Sequence, residues 1–238
     1  MRGREKYSIE YLKARRAVPH TAKQRIYEQF ARISKALAAP GRFELLDLLS
    51  QGERSVDALA RASGMSVANA SQHLQVLSAA RLVESRRAAQ RVLYRIADGS
   101  VEELWHALRR TAEARLTELD EVAHAYLVGR DDFEPIDRDE LTRRLEVGTV
   151  TLIDVRPAEE YHQAHIAGAV SVPLAELPAW ARTAPKRRQV VAYCRGPYCV
   201  YALQAVAALR KRGISARRAE DGVSEWRAAE LPIERSAS

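Results

Sequence analysis

Cysteine is almost missing from this chain: 238 residues hold two, and both fall in one short segment, YCRGPYCV. So few thiols in so long a chain exclude a disulfide-scaffolded fold and point to a reducing compartment with a reactive pair. Long apolar runs are missing too. No stretch approaches the roughly 18 to 20 residues a membrane span needs, and the basic start MRGREKYSIE lacks the apolar stretch of a secretory signal. A soluble, cytoplasmic protein with no membrane partner is expected. There is no internal repeat and no low-complexity tract.

What is present divides in two. The length suits two domains of near 100 residues, each with its own core. Residues 1–128 carry 21 basic and 15 acidic side chains, against 17 and 16 in residues 129–238. A basic half joined to a nearly neutral one suggests a first domain that meets a polyanion and a second that handles a small ligand.

Along the chain, residues 1–20 form a basic, poorly periodic arm or partly helical lead-in. From Thr21 the apolar residues Ile26, Phe30, Ile33 and Leu37 repeat at helix spacing until Pro40-Gly41 breaks the run. A short helix through Phe43, Leu45, Leu46 and Leu49 follows. The next stretch, SVDALARASGMSVANASQHLQVLSAARLV, has the grammar of two helices joined by a tight turn. Ser55 and Ser66 are placed to cap them, Gly64 permits the turn, and Val67, Ala70, Leu74 and Leu77 form the buried face of the second helix. LVESRRAAQRVLYRIAD then reads as two strands around Ala88-Ala89-Gln90, a basic hairpin or wing. A long amphipathic helix is expected from Val101 to Tyr126, with Leu104, Leu108, Leu116, Leu119, Val122 and Ala123 along one side, and a helix of that length needs a partner surface, hence a homodimer. The expected domain limits are therefore 21–128 for the first domain, 129–135 for a linker and 136–238 for the second.

In the second half, a helix around Asp139 to Leu145 leads to Val150-Thr151-Leu152-Ile153-Asp154-Val155, a run that suits a strand buried on both faces. Ala169 to Val172, Val190 to Tyr193 and Ala216 to Ala219 look like further strands separated by helical stretches, which argues for a parallel sheet covered by helices. Cys194 ends one of these strands and Cys199 opens a helix. A thiol at such a turn meets free backbone N–H groups and the positive end of a helix dipole, both of which favour its thiolate.

Residues 22–128 resemble the ArsR family of winged-helix repressors, on the helices with the hairpin before the last and above all on SQHLQVLSAARLV (Ser71 to Val83). The resemblance implies a dimer that lays the second helix of the motif in the major groove of operator DNA, with Asn69, Ser71, Gln72 and His73 at base edges or phosphates and Arg86, Arg87 and Arg91 in the wing contacting phosphate or minor groove. The metal-sensing members need cysteines near the first helix of the motif, and ERSVDALA has none; Asp98, His106, Asp120 and His124 do not have the spacing of a paired interhelical site. No metal and no cofactor is expected.

Residues 136–233 resemble a single rhodanese domain. The agreement is spread over Asp154-Val155-Arg156, Glu160-Tyr161, His165-Ile166-Ala167-Gly168-Ala169, Val172-Pro173, the loop opened by Cys194, and Asp221-Gly222-Val223-Ser224-Glu225-Trp226. It implies an α/β sulfurtransferase fold in which Cys194 holds a sulfane sulfur as a persulfide. The active-site loop would be Arg195, Gly196, Pro197 and Tyr198, with Arg195 lending charge to an anionic donor and Asp154 and Arg156 bracing the sheet edge. Pro197 brings no N–H to the loop, and Cys199 in the last position is a candidate resolving thiol that can attack a Cys194 persulfide. Loop length favours sulfur over a larger tetrahedral oxyanion.

The combined reading is a winged helix-turn-helix followed by a rhodanese fold: a DNA-binding regulator, expected to repress, that senses or processes reactive sulfur from a small donor or to a small acceptor. The alternative is a working sulfurtransferase, fed by thiosulfate or polysulfide, whose DNA-binding half is autoregulatory. An arsenate- or metal-responsive regulator is the minor alternative.

Overall fold

The structure, a computed structural model, describes residues 20–127, 135–185 and 188–236. The arm up to residue 19 and the linker residues 128–134 lie outside the described residues.

The first half opens with helix α1 (His20–Leu37) and α2 (Pro40–Ser50), separated because Pro40 stands at the first turn of α2, where its missing N–H is harmless. Strand β1 (Arg54–Ser55) leads to α3 (Val56–Ser63) and α4 (Val67–Ala79). Both caps form as the sequence suggests: Ser55 accepts from Ala58 N–H at 3.2 Å and Ser66 from Asn69 N–H at 3.2 Å, while Gly64 takes φ 67° between them. Ala70, Leu74 and Leu77 are fully buried against α2 and α3, but Val67 is not: the first turn of α4 stands clear of the core and leaves it exposed.

Strands β2 (Val83–Ala88) and β3 (Arg91–Ile96) pair antiparallel around Ala89-Gln90, and β1 adds to the far edge of β3, a third strand that no sequence pattern suggests. The long helix expected from Val101 to Tyr126 is instead two, α5 (Gly99–Arg115) and α6 (Thr117–Leu127), with Leu116 extended at φ −108°, ψ 97°. No Gly or Pro lies between Val101 and Leu127, so no helix breaker in the sequence marks this point. Leu104 joins the core, whereas Leu108, Leu116, Val122 and Tyr126 are exposed, as are Ile26, Tyr27 and Phe30 of α1.

The second half runs α7 (Arg138–Glu146), β4 (Val150–Asp154), α8 (Ala158–Gln163), β5 (His165–Ile166), β6 (Val170–Ser171), α9 (Leu177–Trp180), β7 (Gln189–Tyr193), α10 (Val200–Arg210), β8 (Ala216–Arg218), α11 (Val223–Ala228) and β9 (Ile233–Glu234). Four strands form a parallel sheet in the order β6-β4-β7-β8, and β5 pairs with β9 in a separate antiparallel ribbon. Alternation along the strands feeds two cores: Leu152, Val191 and Tyr193 face Trp226 and Ile166, while Ile153, Val190, Ala192 and Cys194 face Ala202, Val206 and Leu209. A sheet buried on both faces explains the near-continuous apolar runs of β4 and β7.

Candidate functional site

Strand β7 ends at Tyr193, and Cys199 is the residue that precedes α10, so the six residues from Cys194 to Cys199 form a strand-to-helix loop. Their sulfurs are joined in a disulfide with the Cα atoms 6.1 Å apart. Cys194 is only 2 % exposed and belongs to the core under α10, whereas Cys199 is half-buried. Gly196 adopts φ 154°. Cys199 N–H donates to Gly196 O at 3.1 Å, and Tyr198 donates its hydroxyl to Glu113 of α5 at 2.9 Å.

Arg195 does not point its charge at the loop, contrary to the sequence-based expectation. Its guanidinium makes a two-pronged pair with Glu160, Nη2 to Oε1 at 2.6 Å and Nε to Oε2 at 3.0 Å, and lies 5.5 Å from the centre of the Tyr201 ring. The reason is Glu160 itself, which is buried and attracts a second cation from the first half, Arg54, at 2.9 Å. Burial opposes ionisation of Glu160, but the bonds from Arg195 and the charge of Arg54 outweigh it and hold the carboxyl below its usual range.

Asp154 and Arg156 form a fully buried pair at the carboxyl edge of the sheet, with Nη2 2.6 Å from Oδ2 and Nε 3.0 Å from Oδ1. Tyr193 donates its hydroxyl to Asp154 Oδ2 at 2.6 Å, and Arg156 Nη2 donates to Ala164 O at 2.8 Å. The remaining arm, Nη1, donates to Gln51 Oε1 at 3.0 Å, and Gln51 Nε2 donates to the carbonyl of Arg195 at 3.2 Å. Gln51, at the end of α2 in the first half, thus ties the buried ion pair to the cysteine loop.

Other polar contacts join the halves. Arg109 of α5 donates to Glu225 Oε1 at 2.6 Å, and Glu225 Oε2 accepts from Gly222 N–H at 2.9 Å. His106 Nε2 lies 3.0 Å from Ser224 Oγ; burial first, then Arg109 and Arg110, lower its pKa against the opposing pull of Glu225. Gly222 is obligatory: a Cβ there would lie 2.6 Å from the backbone of Cys194 and Arg195. Sequence reasoning does not single out Gln51, Arg54, Arg109 or Glu225 as joining the halves. The one available signal is compositional, a glutamine directly after the apolar run of α2 and a glutamate inside the DGVSEW motif.

Between the halves lies a cavity of about 560 Å³. Phe43, Leu48, Trp105 and Leu108 line it from α2 and α5, and Pro197 to Tyr201 line it from the loop and α10. Phe43 and Trp105 stack at 5.4 Å. Asp47 also lines it, and burial, followed by the charge of Glu225, pushes its carboxyl up to about 6.

At the other candidate surface, Asn69 and Gln72 are exposed on α4 while Ser71 and His73 are half-buried. His73 packs its ring against α2, where a Cβ on Gly41 would be 3.0 Å from Nε2, so it offers less to a ligand than its place in the motif suggests. In the wing, Arg86 is held by both oxygens of Glu53, and Arg95 pairs with Glu84 at 2.5 Å. Arg87 and Arg91 are exposed near the hairpin tip and have no hydrogen bond or ion pair among the described residues. Among the described residues no three His, Cys, Asp or Glu side chains group closely enough to hold a metal ion, and no helix is long and apolar enough to cross a membrane.

Comparison with known proteins matches residues 39–85 to the bacterial regulatory protein, arsR family, and residues 137–229 to the rhodanese-like domain. Over 215 residues the chain is 45 % identical to an HTH-type transcriptional regulator of Mycobacterium tuberculosis, covering 90 % of this chain and 94 % of that one. A sulfurtransferase of Allochromatium vinosum is 34 % identical over 100 residues, 41 % of this chain and 92 % of its own. The solution structure of a homodimeric winged helix-turn-helix DNA-binding domain from Mycobacterium bovis, a possible ArsR-family regulator, is 44 % identical, covers 40 % of this chain and 89 % of that one, and superposes with a TM-score of 0.39.

Proposed function

As a member of the ArsR-type helix-turn-helix regulators that carry a rhodanese domain, this chain is a transcriptional regulator, and we propose that it acts as a homodimer on double-stranded operator DNA and reads reactive sulfur through Cys194 and Cys199. The observation that carries the proposal is the position of Gln51, which bonds both to the cysteine loop and to Arg156 from within the DNA-binding half. Any rearrangement of the loop on opening or closing the Cys194–Cys199 bridge is felt at the end of α2, a helix against which α4 packs. The exposed apolar side chains Ile26, Tyr27 and Phe30 on α1, with Val122 and Tyr126 on α6, support the dimer.

The chemistry balances without an outside oxidant beyond the sulfur donor. The Cys194 thiolate attacks a terminal sulfane sulfur of a polysulfide, a shortened polysulfide leaves, and Cys194 becomes a persulfide. The Cys199 thiolate then attacks the inner sulfur, forming the disulfide and expelling hydrosulfide. Operator affinity is to be measured for the reduced and disulfide forms of the parent protein and for Cys194→Ser after polysulfide treatment. A 5- to 150-fold difference in the parent, equivalent to about 1 to 3 kcal/mol of coupling, is expected, with none in the variant. Equal affinities for both parental forms would discard the sensor.

The second reading, a sulfurtransferase that turns over, is favoured by the likeness to a protein named for that activity. Against brisk turnover of thiosulfate stand Pro197, which brings no N–H to the loop, and Arg195, whose charge is committed to Glu160. Absence of sulfur transfer to cyanide from both thiosulfate and polysulfide in the parent would remove this reading.

A further inference from the structure

The two sulfurs of the bridge present themselves differently. In the bridged form Cys194 is buried beneath α10, and it is Cys199 that lines the cavity between the halves. A reagent that enters this cavity meets Cys199. The cavity wall is apolar and aromatic, with Phe43 and Trp105 stacked on the side of the first half. Its two arginines are already paired: Arg109 through Nη1 with Glu225, its Nε lying 3.5 Å from Glu113 without a hydrogen bond, and Arg195 with Glu160. Its two carboxylates, Glu44 and Asp47, make no hydrogen bond or ion pair among the described residues, and burial raises the pKa of both. While the bridge is closed, a thiol that carries its own negative charge meets two arginines already facing carboxylates and two further like charges, so an uncharged thiol is favoured over an anionic one.

We propose that the cavity between the halves binds a small thiol with an apolar body and no negative charge, and that this thiol opens the bridge by attacking Cys199. The proposal deepens the sensor reading and rests on it, since it supplies the step that resets the oxidised loop. The R–S bond to Cys199 Sγ forms as the Cys194–Cys199 bond breaks, and Cys194 leaves as the thiol, taking up the proton the reagent gave. A second equivalent of the thiol then attacks the mixed disulfide, returning Cys199 as a thiol and releasing R–S–S–R. The bridge is reduced and the thiol is oxidised, so no further electron donor enters. Cys199 is thus the point of attack on the bridged form.

The test uses the full chain in its disulfide form, treated briefly with benzyl mercaptan or with the anionic thiol 2-sulfanylethanesulfonate and quenched with N-ethylmaleimide in guanidinium chloride, where the buried Cys194 is reached. Fragmentation mass spectrometry of the peptide spanning both cysteines then locates each group. The expected result is a benzylthio group on Cys199 and maleimide on Cys194, formed at least about tenfold faster with benzyl mercaptan than with the sulfonate. Ala112→Phe and, from a different helix, Ala62→Phe fill the cavity and should slow the benzyl reaction while sparing the sulfonate. The site and the rate ratio are read on the parent protein, so they decide the matter even where a variant does not fold. Benzylthio on Cys194, or equal rates for the two thiols, overturns the proposal. Failure here alongside redox-dependent operator affinity leaves the sensor reading standing; adducts on Cys199 with operator affinity blind to the bridge do the reverse.

Discussion

Arg156 Nη1 donates to Gln51 Oε1 at 3.0 Å across 105 positions of sequence, and neither residue has any exposed surface. The bond satisfies the one arm of the guanidinium that Asp154 and Ala164 leave open, and the amide nitrogen of the same glutamine satisfies the carbonyl of Arg195.

Replacing Gln51 with leucine keeps the bulk and removes both bonds to the second half, one of them to a charged group, together with the local bond to Ser50 Oγ. Stability should fall by about 2 to 3 kcal/mol, read as a lower urea midpoint at unchanged slope. Operator affinity of the variant should lose most of its dependence on the state of the bridge. A variant as stable as the parent and as responsive to oxidation would deny Gln51 its role as the link.

Gly222→Ala places a methyl group 2.6 Å from the main chain of Cys194 and Arg195, where no flexible side chain can give way. A loss of about 1 to 3 kcal/mol is expected. Gly99→Ala, at the start of α5 with open space around it, is the control and should change stability by less than about 1 kcal/mol. Chemical denaturation of the two variants side by side distinguishes a steric clash from a general effect of glycine replacement.

In the wing, Arg87 and Arg91 are available to phosphate, whereas Arg86 must first leave Glu53. Arg87→Ala and Arg91→Ala should each weaken binding to operator and random DNA alike and reduce the salt slope by about 0.9 for each phosphate no longer neutralised. Arg86→Ala should do less. Gln72→Ala should instead relax the preference for particular bases, by about 1 to 3 kcal/mol at one position. Titrations at several salt concentrations check all four, and equal salt slopes for parent and wing variants would sink the docking scheme.

Asp47 titrates at about pH 6 in the folded protein because of burial and the nearby Glu225, against an ordinary value of 3.8. The folded state therefore holds this proton more tightly than the unfolded chain does. Stability contributed by the protonated form is lost as pH rises from about 4 to 6, and the full cost, up to about 3 kcal/mol, persists above that. Asp47→Asn should match the parent near pH 4 and exceed it at pH 8. Parallel thermal melts at the two pH values decide, and an equal gain at both would show that charge is not the cause.

Much of this architecture is legible in the residues because it depends on short-range rules. Ser55, Gly64 and Ser66 write a helix-turn-helix into the sequence, and both serines form their caps. Two apolar runs, at Val150 to Val155 and Val190 to Tyr193, mark strands covered on both faces. The likeness of the halves to two families follows from motifs spread along each. Less legible is anything set by one element lying against another. The split at Leu116 has no Gly or Pro to announce it, Val67 is exposed because its turn overhangs the core, and His73 turns toward Gly41.

A basic winged helix joined to an α/β domain, with both thiols in one strand-to-helix loop, is written in the order of the residues, since periodicity, caps and charge are properties of neighbours along the chain. What that loop touches is a matter of three dimensions. Arg195 goes to Glu160, Gln51 closes on Arg156, and Cys199 rather than Cys194 faces the cavity. These pairings lie up to 105 positions apart, and burial selects them: once the halves dock, each charge and amide removed from water takes whichever partner the packing brings within reach.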